Sequence, residues 1–389
     1  MSGARKIDRG DTDVCPVRRD EDGTWHIRGY ADGRALLRST ETVQAGLGVE
    51  TVEKLPAKLR RPVLYRDGVE HREHRRQTAK YFTPKRVDEK YRGLMHEIAD
   101  REIALLRKDG RANLSETSFR LAIDVAKAVV GLTDSKPGTD KRLDAFFPEK
   151  FGKPGFTSFS GIYWFARQMR AWAAVYFADV RPAVRTRRKQ RRDDLISHLI
   201  DEGCKDGEIL GECLTFAAAG MVTTREFINL AAWHLFTDDA LRARFDSADD
   251  KERVALLHEL LRLEPVVGNL KRRTTAPVTL PSGATIPEGE LVDVSVGVTN
   301  VDPAAVGADP MTICPTRPLA EGANPAGLTF GDGPHKCPGA HIAVQEAEIF
   351  LTKLFALDGL ALHQPPRVTM KPEISGYELR DMIVTVNPQ

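Results

Sequence analysis

The segment Leu328-Thr-Phe-Gly-Asp-Gly-Pro-His-Lys-Cys-Pro-Gly-Ala340 carries more structural information than any other part of this chain. It holds one cysteine among glycines and prolines, and an apolar helical pattern begins directly after it. A lone cysteine is most often a small buried hydrophobe. Here, however, six positions within ten residues fit the pattern Phe-Gly-x-Gly-x-His-x-Cys-x-Gly, at Phe330, Gly331, Gly333, His335, Cys337 and Gly339. So dense a pattern favours a cysteine with a chemical role.

The residues around Cys337 suit a thiolate that ligates iron. Such a sulfur must stay deprotonated, and backbone N–H groups close to it stabilise its negative charge. Gly331, Gly333 and Gly339 allow amides to approach the sulfur because they carry no Cβ. The helix predicted from about Gly339 also points its positive N-terminal end at the anion. Phe330 is placed to shield the sulfur from water.

This loop resembles the haem-thiolate loop of cytochrome P450 enzymes. The resemblance implies a mainly helical fold with small β-sheets, of the α+β class, that binds haem b with Cys337 as the axial ligand of the iron. Thiolate ligation in these enzymes pushes electron density toward the opposite ligand and favours O–O cleavage. Phe330, Gly331, Gly339 and His335 are then expected beside the haem, with His335 as a candidate partner of a propionate.

Composition excludes several other classes of protein. The chain has 389 residues and a net charge of +2, so charge gives no argument for nucleic-acid binding. Mean hydropathy is −0.34, and the sequence has no run of about eighteen apolar residues, which argues against a membrane span. Residues 1–12 are polar and predicted to be disordered, and residues 13–389 are predicted to form one domain. The cysteines show no paired metal spacing and fit a reducing cytoplasm.

A predicted helix over residues 67–84 carries two cationic side chains on one face. His71 and Arg75 are four residues apart and therefore lie on the same side of the helix. In the P450 family, a His-x-x-x-Arg at this place resembles a clamp on a haem propionate, and arginine offers a bidentate fork to a carboxylate. The neighbouring Arg72 and Arg76 favour the alternative, a solvated basic face.

Residues 206–236 are largely apolar and predict one long helix. Its Ala219-Gly220-Met-Val-Thr223 stretch resembles the oxygen-binding motif of the same family. Gly220 leaves room for a diatomic ligand, and the Thr223 hydroxyl can bond back to the Ala219 carbonyl and leave a polar notch. Such a notch suits dioxygen binding and proton relay, with Thr224 as a second hydroxyl. The alternative is helix packing through small residues.

One position departs from that motif. The acid that usually precedes the threonine in the family, where it is associated with proton delivery, is replaced by Val222. Glu226 lies about one helical turn beyond Thr223 and is expected to pair with Arg225 or another cation. Delivery through Thr223, Thr224, ordered water, a substrate group or Glu226 stays open, and so does a chemistry that needs fewer protons.

Two further patterns concern the surroundings of the haem. Glu259 and Arg262 lie side by side on one predicted helix, an arrangement that is usually a weak surface salt bridge. At this place it resembles the buried Glu–Arg pair of the family, with Arg317 as the third member. Arg272 falls where the family places another propionate arginine, and Arg273 is the competing assignment.

The remaining elements are predicted more coarsely. The candidates for lining the substrate pocket are Ala218, Ala219, Val222, Val266, Val267, Gly268 and Asn269. The aromatic residues from Phe146 to Phe165 fit either core or a mobile lid. Other segments are expected as a strand at 25–30, a helix at 31–39, a loop over the pocket at 42–62, helix throughout 87–131, a solvated basic helix end at 181–192, and short strands at 277–298 and 366–388.

The resemblance covers Trp25 to Val386 and implies a haem-thiolate monooxygenase. We expect it to hydroxylate a small or medium organic molecule with O2, in bacterial secondary metabolism, as a cytoplasmic monomer without membrane or nucleic-acid contacts. Electrons are expected from a separate ferredoxin and ferredoxin reductase. An acidic partner would meet a basic surface formed by Arg72, Arg76, Lys80 and Lys336.

Three alternatives remain at this stage. Val222 motivates a P450-type enzyme of atypical chemistry, namely oxidative coupling, nitration or rearrangement. A haem-based sensor or carrier is the alternative from outside the enzymes, and Gly220 and Thr223 argue against it. A helical scaffold without cofactor would show no haem absorption at all.

Overall fold

The computed structural model of the protein describes residues 15–46, 48–49, 60–146 and 158–387. The predicted disorder of residues 1–12 concerns residues outside these ranges. The same holds for residues 47 and 50–59 of the predicted pocket loop, and for residues 147–157 of the aromatic segment.

Helices make up most of the described chain, as the α+β prediction requires. In chain order they are α1 (Tyr30–Arg38), α2 (Gly68–Thr78), α3 (Pro84–Arg86), α4 (Arg92–Asp109), α5 (Leu114–Val130), α6 (Thr139–Phe146), α7 (Phe159–Val175), α8 (Arg181–Lys189), α9 (Leu195–Asp201), α10 (Asp206–Ala217), α11 (Thr223–Thr237), α12 (Asp239–Ser247), α13 (Asp250–Leu263), α14 (Val296–Thr299), α15 (Pro303–Val306) and α16 (Ala340–Phe355). Wider π-helical turns are Val87–Tyr91, Tyr176–Val180 and Ala218–Val222, and tighter 3₁₀ turns are Val63–Tyr65, Ala79–Tyr81, Gly333–His335 and Pro372–Ile374.

The strands form small sheets at the side of the helices. They are β1 (Val17–Arg19), β2 (Trp25–Ile27), β3 (Thr42–Ala45), β4 (Arg111–Asn113), β5 (Asn269–Thr274), β6 (Val278–Thr279), β7 (Thr285–Ile286), β8 (Leu291–Ser295), β9 (Ala361–Gln364), β10 (Arg367–Lys371), β11 (Gly376–Arg380) and β12 (Ile383–Thr385). The largest sheet has the order β1-β2-β8-β5-β3, in which only β2 and β8 pair in parallel. A sheet β4-β12-β9 and the pairs β6–β7 and β10–β11 complete the set.

The apolar core divides around α5. One face of this helix, with Leu121 and Val125, packs with α4, α11, α13 and α16. The opposite face, with Phe119 and Ile123, packs with α8, α9 and α10. A third cluster joins α1 to the five-stranded sheet. The mainly helical fold with small sheets is thereby confirmed.

The prediction of a loop over residues 42–62 was wrong at its start. Thr42–Ala45 is strand β3, which pairs with β5 so that Gln44 faces Arg272 in register. A four-residue strand is too short to show a hydrophobic period, and its partner lies more than two hundred residues away along the chain.

The helical pattern predicted over residues 87–131 is divided by a short strand. Helix α4 ends at Asp109, and the Gly110 that follows has a left-handed φ of 65° and donates its N–H to the Leu106 carbonyl. Strand β4 (Arg111–Asn113) pairs with β12, and Asn113 caps α5 by accepting the Ser115 N–H. Glycine at a helix end and asparagine before the next are ordinary stop and start signals.

The basic run at 181–192 is only partly a solvated helix end. Arg187 is buried and donates to Asp194 over 2.8 Å and to the Thr133 hydroxyl over 2.8 Å, and it also contacts Asp134. The aromatic segment divides in a similar way, because Phe146 is in the core whereas Phe159 is 94% exposed. Charge and aromatic content in sequence did not distinguish these positions.

Glu259 and Arg262 form a buried ion pair on α13, with N–O distances of 2.6 and 2.9 Å. The second guanidinium edge donates to the backbone carbonyls of Pro310 and Asn300. Arg317 adds a contact of 3.3 Å to the same carboxylate. The three predicted structural residues therefore meet in one network that ties α13 to the loop preceding Cys337.

Within the residues that the structure describes, no helix is long and apolar enough to cross a membrane.

Replacing Arg262 by Ala should lower the free energy of unfolding by about 3–5 kcal/mol, because it leaves the Glu259 carboxylate buried without its main partner. The matched control is Arg244→Ala. Arg244 pairs with Glu252 at a similar distance of 2.9 Å, but both side chains are at least 40% exposed, so the loss there should be about 1 kcal/mol or less. Urea unfolding of both variants measures the difference, and equal losses would contradict the assignment of a supporting role to the buried pair.

Candidate functional site

The Cys337 loop is a backbone-bonded turn in the segment between α15 and α16. The Cys337 N–H donates to the Phe330 carbonyl over 2.8 Å, and the Gly331 N–H donates to Leu328 over 2.8 Å. Gly331 and Gly333 have left-handed φ angles of 66° and 65°. A Cβ on Gly333 would overlap the Leu37 carbonyl oxygen of α1, so this glycine is required by a close approach between two backbones.

The Cys337 sulfur receives the amides that the sequence predicted. The N–H groups of Gly339 and Ala340 donate to it at the start of α16. Burial raises the pKa of the thiol, whereas these two amides and the Arg75 guanidinium act in the opposite direction. The sulfur is nevertheless accessible to solvent. Both observations fit a sulfur at the bottom of a concavity, where an added cation would shift the equilibrium from the thiol to the thiolate.

A cluster of histidine and arginine side chains lies next to this loop. The His71 ring stacks on His335 with 4.1 Å between centroids. The Arg75 guanidinium donates to the Lys336 carbonyl over 2.6 Å. His335 contacts Asp67 through Nε2 over 2.8 Å. The structure thus brings His335 against His71 and Arg75, from which it is separated by more than 250 residues in sequence.

Arg272 joins this cluster, and Arg273 does not. Arg272 is 4% exposed on the inner face of β5, and burial lowers its pKa to about 10 although Asp67 acts against the shift. Arg273 points outward and donates to the Gly289 carbonyl. Strand alternation alone separates the two, since neighbouring residues face opposite sides.

A cavity of about 480 Å³ opens between α2 and the cysteine loop. Beyond His71 and Arg75, its lining consists of Arg72, Arg76, Ala79, Phe82, Thr83, Pro334 and Pro338.

The residues present fit a haem. Among the described residues, neither Arg75 nor Arg272 forms an ion pair with a carboxylate, and each donates only to a backbone carbonyl. His71 Nδ1 is buried and has no hydrogen-bond partner in the same part of the chain. Buried cations without a counter-ion are unfavourable by themselves. A flat ligand with two carboxylates would satisfy them while its metal met the Cys337 sulfur.

The long helix predicted over 206–236 is interrupted by the π-helical turn Ala218–Val222. Directly after it, the Thr223 hydroxyl donates to the Ala219 carbonyl over 2.5 Å, which is the bond predicted from the sequence. Ala219 is exposed and Gly220, Val222 and Thr223 are half-buried, whereas the residues that follow are buried up to Ala232. The chain is therefore accessible around this bulge and buried in the helix that follows it. Such bulges are frequent at functional sites.

Glu226 is not free to act at this opening. Its carboxylate receives Arg225 over 2.9 Å, Arg380 over 2.6 Å and the Leu379 N–H over 2.8 Å. It is 4% exposed. The pairing with Arg225 was predicted, but the attachment to strand β11 was not. Thr224 is buried beside it.

The predicted pocket segment at 266–269 lies against the β10–β11 hairpin. Gly268 donates its N–H to the Ile374 carbonyl over 2.7 Å, and a Cβ on Gly268 would overlap the Ser375 carbonyl. The Asn269 amide donates to Asp293 on β8 over 3.1 Å. Val266 and Val267 are half-buried. The glycine is thus explained by contact between two backbones.

Two contributors to the loop were missed in the sequence. The Asn300 side chain accepts the Leu328 N–H over 2.6 Å and donates to the Arg262 carbonyl over 3.1 Å, so it connects the loop to the buried ion pair. Asp67 was treated only as a helix start, yet its carboxylate also accepts the Gln44 N–H. An acidic residue before a helix is normally read as a cap, and no local pattern separates the two roles.

Comparison with known proteins gives a consistent result. A family model described as "Cytochrome P450" matches residues 254–373. The chain is 28% identical over 351 residues to "Cytochrome P450 107B1" of Saccharopolyspora erythraea, covering 85% of this chain and 80% of that protein. It is 26% identical over 366 residues to "Erythromycin C-12 hydroxylase" of the same organism, covering 88% and 84%.

Solved structures agree on the fold. The crystal structure of CYP109E1 from Bacillus megaterium in complex with corticosterone superposes with a TM-score of 0.77 and 21% identity, covering 96% of this chain and 95% of that chain. At this identity the match concerns the fold.

Gly333→Ala should destabilise the protein by about 3 kcal/mol or more, because it adds a steric overlap with α1 to the cost of a left-handed φ. Gly283→Ala is the control, since Gly283 also has a left-handed φ, of 88°, but has no atom within 4 Å of its added Cβ. It should lose about 1–2 kcal/mol. Chemical unfolding of both variants isolates the steric part. Equal losses would mean that the loop does not need its close approach to α1.

Proposed function

The chain belongs to the cytochrome P450 family and is a P450 monooxygenase, and from this premise we propose that it hydroxylates a small or medium organic molecule with electrons from a ferredoxin. The observation that carries the proposal is the Cys337 sulfur, which accepts the N–H groups of Gly339 and Ala340 and lies near the Arg75 guanidinium. In the described chain, neither Arg75 nor the buried Arg272 has a carboxylate partner. We propose haem b as the cofactor, because these residues would hold a haem without a covalent bond to its ring.

We assign the residues of this chain to the cofactor as follows. Cys337 would ligate the iron, and haem bound there supplies the metal at which dioxygen is activated. Arg75, Arg272, His71 and His335 would hold the propionates, and Gly331, Gly339 and Phe330 would lie against the ring. Glu259, Arg262 and Arg317 act at a distance, by fixing the loop that carries the sulfur.

The bulge at Ala218–Val222 would provide the oxygen side. Gly220 and Ala219 leave space at the wall, and the Thr223 hydroxyl, which donates its proton to the Ala219 carbonyl, can accept a hydrogen bond from water. Thr223 would then hold and pass protons, with Thr224 behind it. Val222, Ala218, Val266, Val267 and Asn269 are proposed as neighbours of the substrate, and Gly268 as the backbone contact that closes this wall.

Electron delivery would use the outer face of α2. Arg72, Arg76, Lys80 and Lys336 are exposed there, whereas His71 is buried and Arg75 half-buried. Arg72 and Arg76 line the cavity together with His71 and Arg75, so the solvated basic surface borders the propionate clamp, and an acidic ferredoxin suits its exposed part. The unpaired cysteines of the described chain fit a cytoplasmic protein, which we propose acts as a monomer.

The substrate class rests on weaker support. One relative is named for the C-12 hydroxylation of erythromycin, and one structural neighbour holds corticosterone. Both are bulky and mostly apolar molecules. We therefore propose an apolar substrate of secondary metabolism for this chain.

A second candidate is a P450 reaction of atypical type, such as oxidative coupling, nitration or rearrangement. Val222 and the fully engaged Glu226 favour it, because no carboxylate next to Thr223 is free to deliver protons. A sensor or carrier would not need the bulge and the Thr223 notch.

The thiolate assignment is tested by absorption of the reduced, carbon-monoxide-bound protein. The parent should show the red-shifted band of thiolate ligation, and Cys337→Ser should lose it because a serine oxygen does not replace the sulfur anion. Cys314→Ser is the control, since Cys314 is another half-buried loop cysteine. A red-shifted band in Cys337→Ser, or its absence in the parent, would reject the proposal.

Val222→Asp separates the two candidate reactions. With ferredoxin and ferredoxin reductase as the electron source, hydroxylation limited by proton delivery should become better coupled, so that hydrogen peroxide released per NADPH falls by about two- to tenfold. This is less than the roughly hundred- to ten-thousandfold contribution of a full general acid, because Thr223 and water would already supply part of the protons. Val222→Asn is the control of equal shape without an acid. If Val222→Asp leaves peroxide unchanged but lowers product formation, the reaction does not depend on an acid at this position. If no electrons flow from ferredoxin, that partner is wrong.

A further inference from the structure

A buried group of charged and polar side chains lies between α10 and the chain that leads into α2. Its centre is Glu212 on α10, which is 2% exposed. The Glu212 carboxylate accepts the Val63 N–H at both oxygens, over 3.0 and 3.2 Å, and the Arg66 guanidinium over 2.8 Å. His74 of α2 faces it with Nε2 at 3.8 Å. Three parts of the chain therefore meet at one carboxylate.

A second carboxylate one helical turn earlier repeats the contact. Glu208 accepts the Arg60 N–H over 3.1 Å, and the Arg60 side chain contacts the Cys204 sulfur over 3.2 Å. Between the two carboxylates, Pro62 lies against Gly211 of α10. We call residues 60–66 the anchor segment, because two glutamates of one helix face hold its backbone.

Burial of the central ion pair, Glu212 and Arg66, is energetically unfavourable. Burial raises the pKa of Glu212 to about 7 in spite of Arg66, and burial lowers the pKa of Arg66 in spite of Glu212. For both groups desolvation exceeds the mutual attraction. Both His74 ring nitrogens are also buried without a hydrogen-bond partner among the described residues. Apolar residues of similar size would hold such a position at equal or lower cost, so stability alone does not explain this cluster.

The cluster joins the two walls of the candidate site. Helix α2 carries His71 and Arg75 toward the cysteine loop, and His74 is on the same helix. Helix α10 continues into the bulge that holds Gly220, about two helical turns beyond Glu212. The walls touch again where Phe82, which lines the cavity, stacks on Phe216 with 5.5 Å between ring centroids.

We propose that Glu212 is a positioning residue. It fixes the anchor segment and helix α2 against α10, so that the clamp formed by His71 and Arg75 keeps a set distance from the bulge at Ala218–Val222. This inference rests on the proposed function for its purpose, because the clamp and the bulge are the two sides between which haem would lie. The contacts themselves do not depend on it. A directional set of hydrogen bonds to one carboxylate specifies one arrangement, whereas apolar packing tolerates sliding.

Glu212→Gln tests the proposal, because it keeps an acceptor for Val63 but removes the charge that holds Arg66. Amide exchange of residues 63–66 and of α2 should become about tenfold faster, the size expected for the loss of one charge-assisted hydrogen bond. In the haem-loaded protein, transfer of haem to an acceptor globin should accelerate by a similar factor. The fold should survive, since the substitution is isosteric.

The double variant Arg66→Leu with Glu212→Leu separates positioning from stability. It removes both buried charges, so the unfolding midpoint should be equal or higher, yet exchange in the anchor segment should still increase because Val63 loses its acceptor. Glu102→Gln is the matched control. Glu102 is another buried carboxylate, 2% exposed and held by Arg120 over 2.8 and 3.0 Å, but it connects α4 to α5. It should leave the anchor segment and haem transfer unchanged.

Each outcome of these experiments either supports or overturns one part of the proposal. Parent-like exchange and haem transfer in both Glu212 variants would overturn the positioning role. Faster exchange without faster haem transfer would limit Glu212 to holding the loop and would overturn the link to the clamp. If the parent binds no haem, the proposed function fails, and the exchange data still decide whether Glu212 holds the anchor segment.

Discussion

A sulfur that must carry negative charge inside a protein needs donors at short range, and this requirement governs the whole arrangement around Cys337. The amides of Gly339 and Ala340 can reach the sulfur only where the chain turns tightly into α16. That turn in turn depends on two left-handed glycines, one of which lies directly against the backbone of α1. The loop is therefore held by contacts between backbones, which leave little tolerance for added atoms.

The loop does not hold this shape by itself. Asn300 accepts the Leu328 N–H and donates to the Arg262 carbonyl, and Arg262 is fixed by Glu259 within a set of backbone carbonyls. A buried ion pair contributes little net stability, because desolvation offsets its attraction. The ion pair contributes mainly through its directionality. A planar guanidinium that donates to several acceptors fixes the position of each backbone segment that carries one of them. The same argument applies to Glu212, which is held by directional hydrogen bonds to Val63 and Arg66.

The parts of the site that could be predicted from the sequence are those with local causes. The pattern around Cys337 and the back-bond from Thr223 to Ala219 follow from residues a few positions apart, as does the shared face of His71 and Arg75. Contacts between distant segments could not be predicted. Strand β3, the burial of Arg187 and the attachment of Glu226 to β11 all depend on partners far away in the chain. Arg272 and Arg273 show where prediction from the sequence ends, because only the register of the strand assigns one of them to the interior.

The most informative departure from the family motif is that Val222 replaces the usual acid while the nearby Glu226 is already held by other side chains. The Glu226 carboxylate accepts two guanidiniums and a backbone N–H, and releasing it would leave the buried Leu379 N–H without its acceptor and remove one of the two carboxylates beside Arg380. Glu226 therefore serves to hold the β10–β11 hairpin against α11, where Ser375 closes on Gly268. With that acid committed and Val222 apolar, Thr223 contributes the polar side chain of the segment Ala218–Thr223. We propose that protons reach the bulge through water or with the substrate, so that the reaction would depend on how each substrate orders the water beside Thr223.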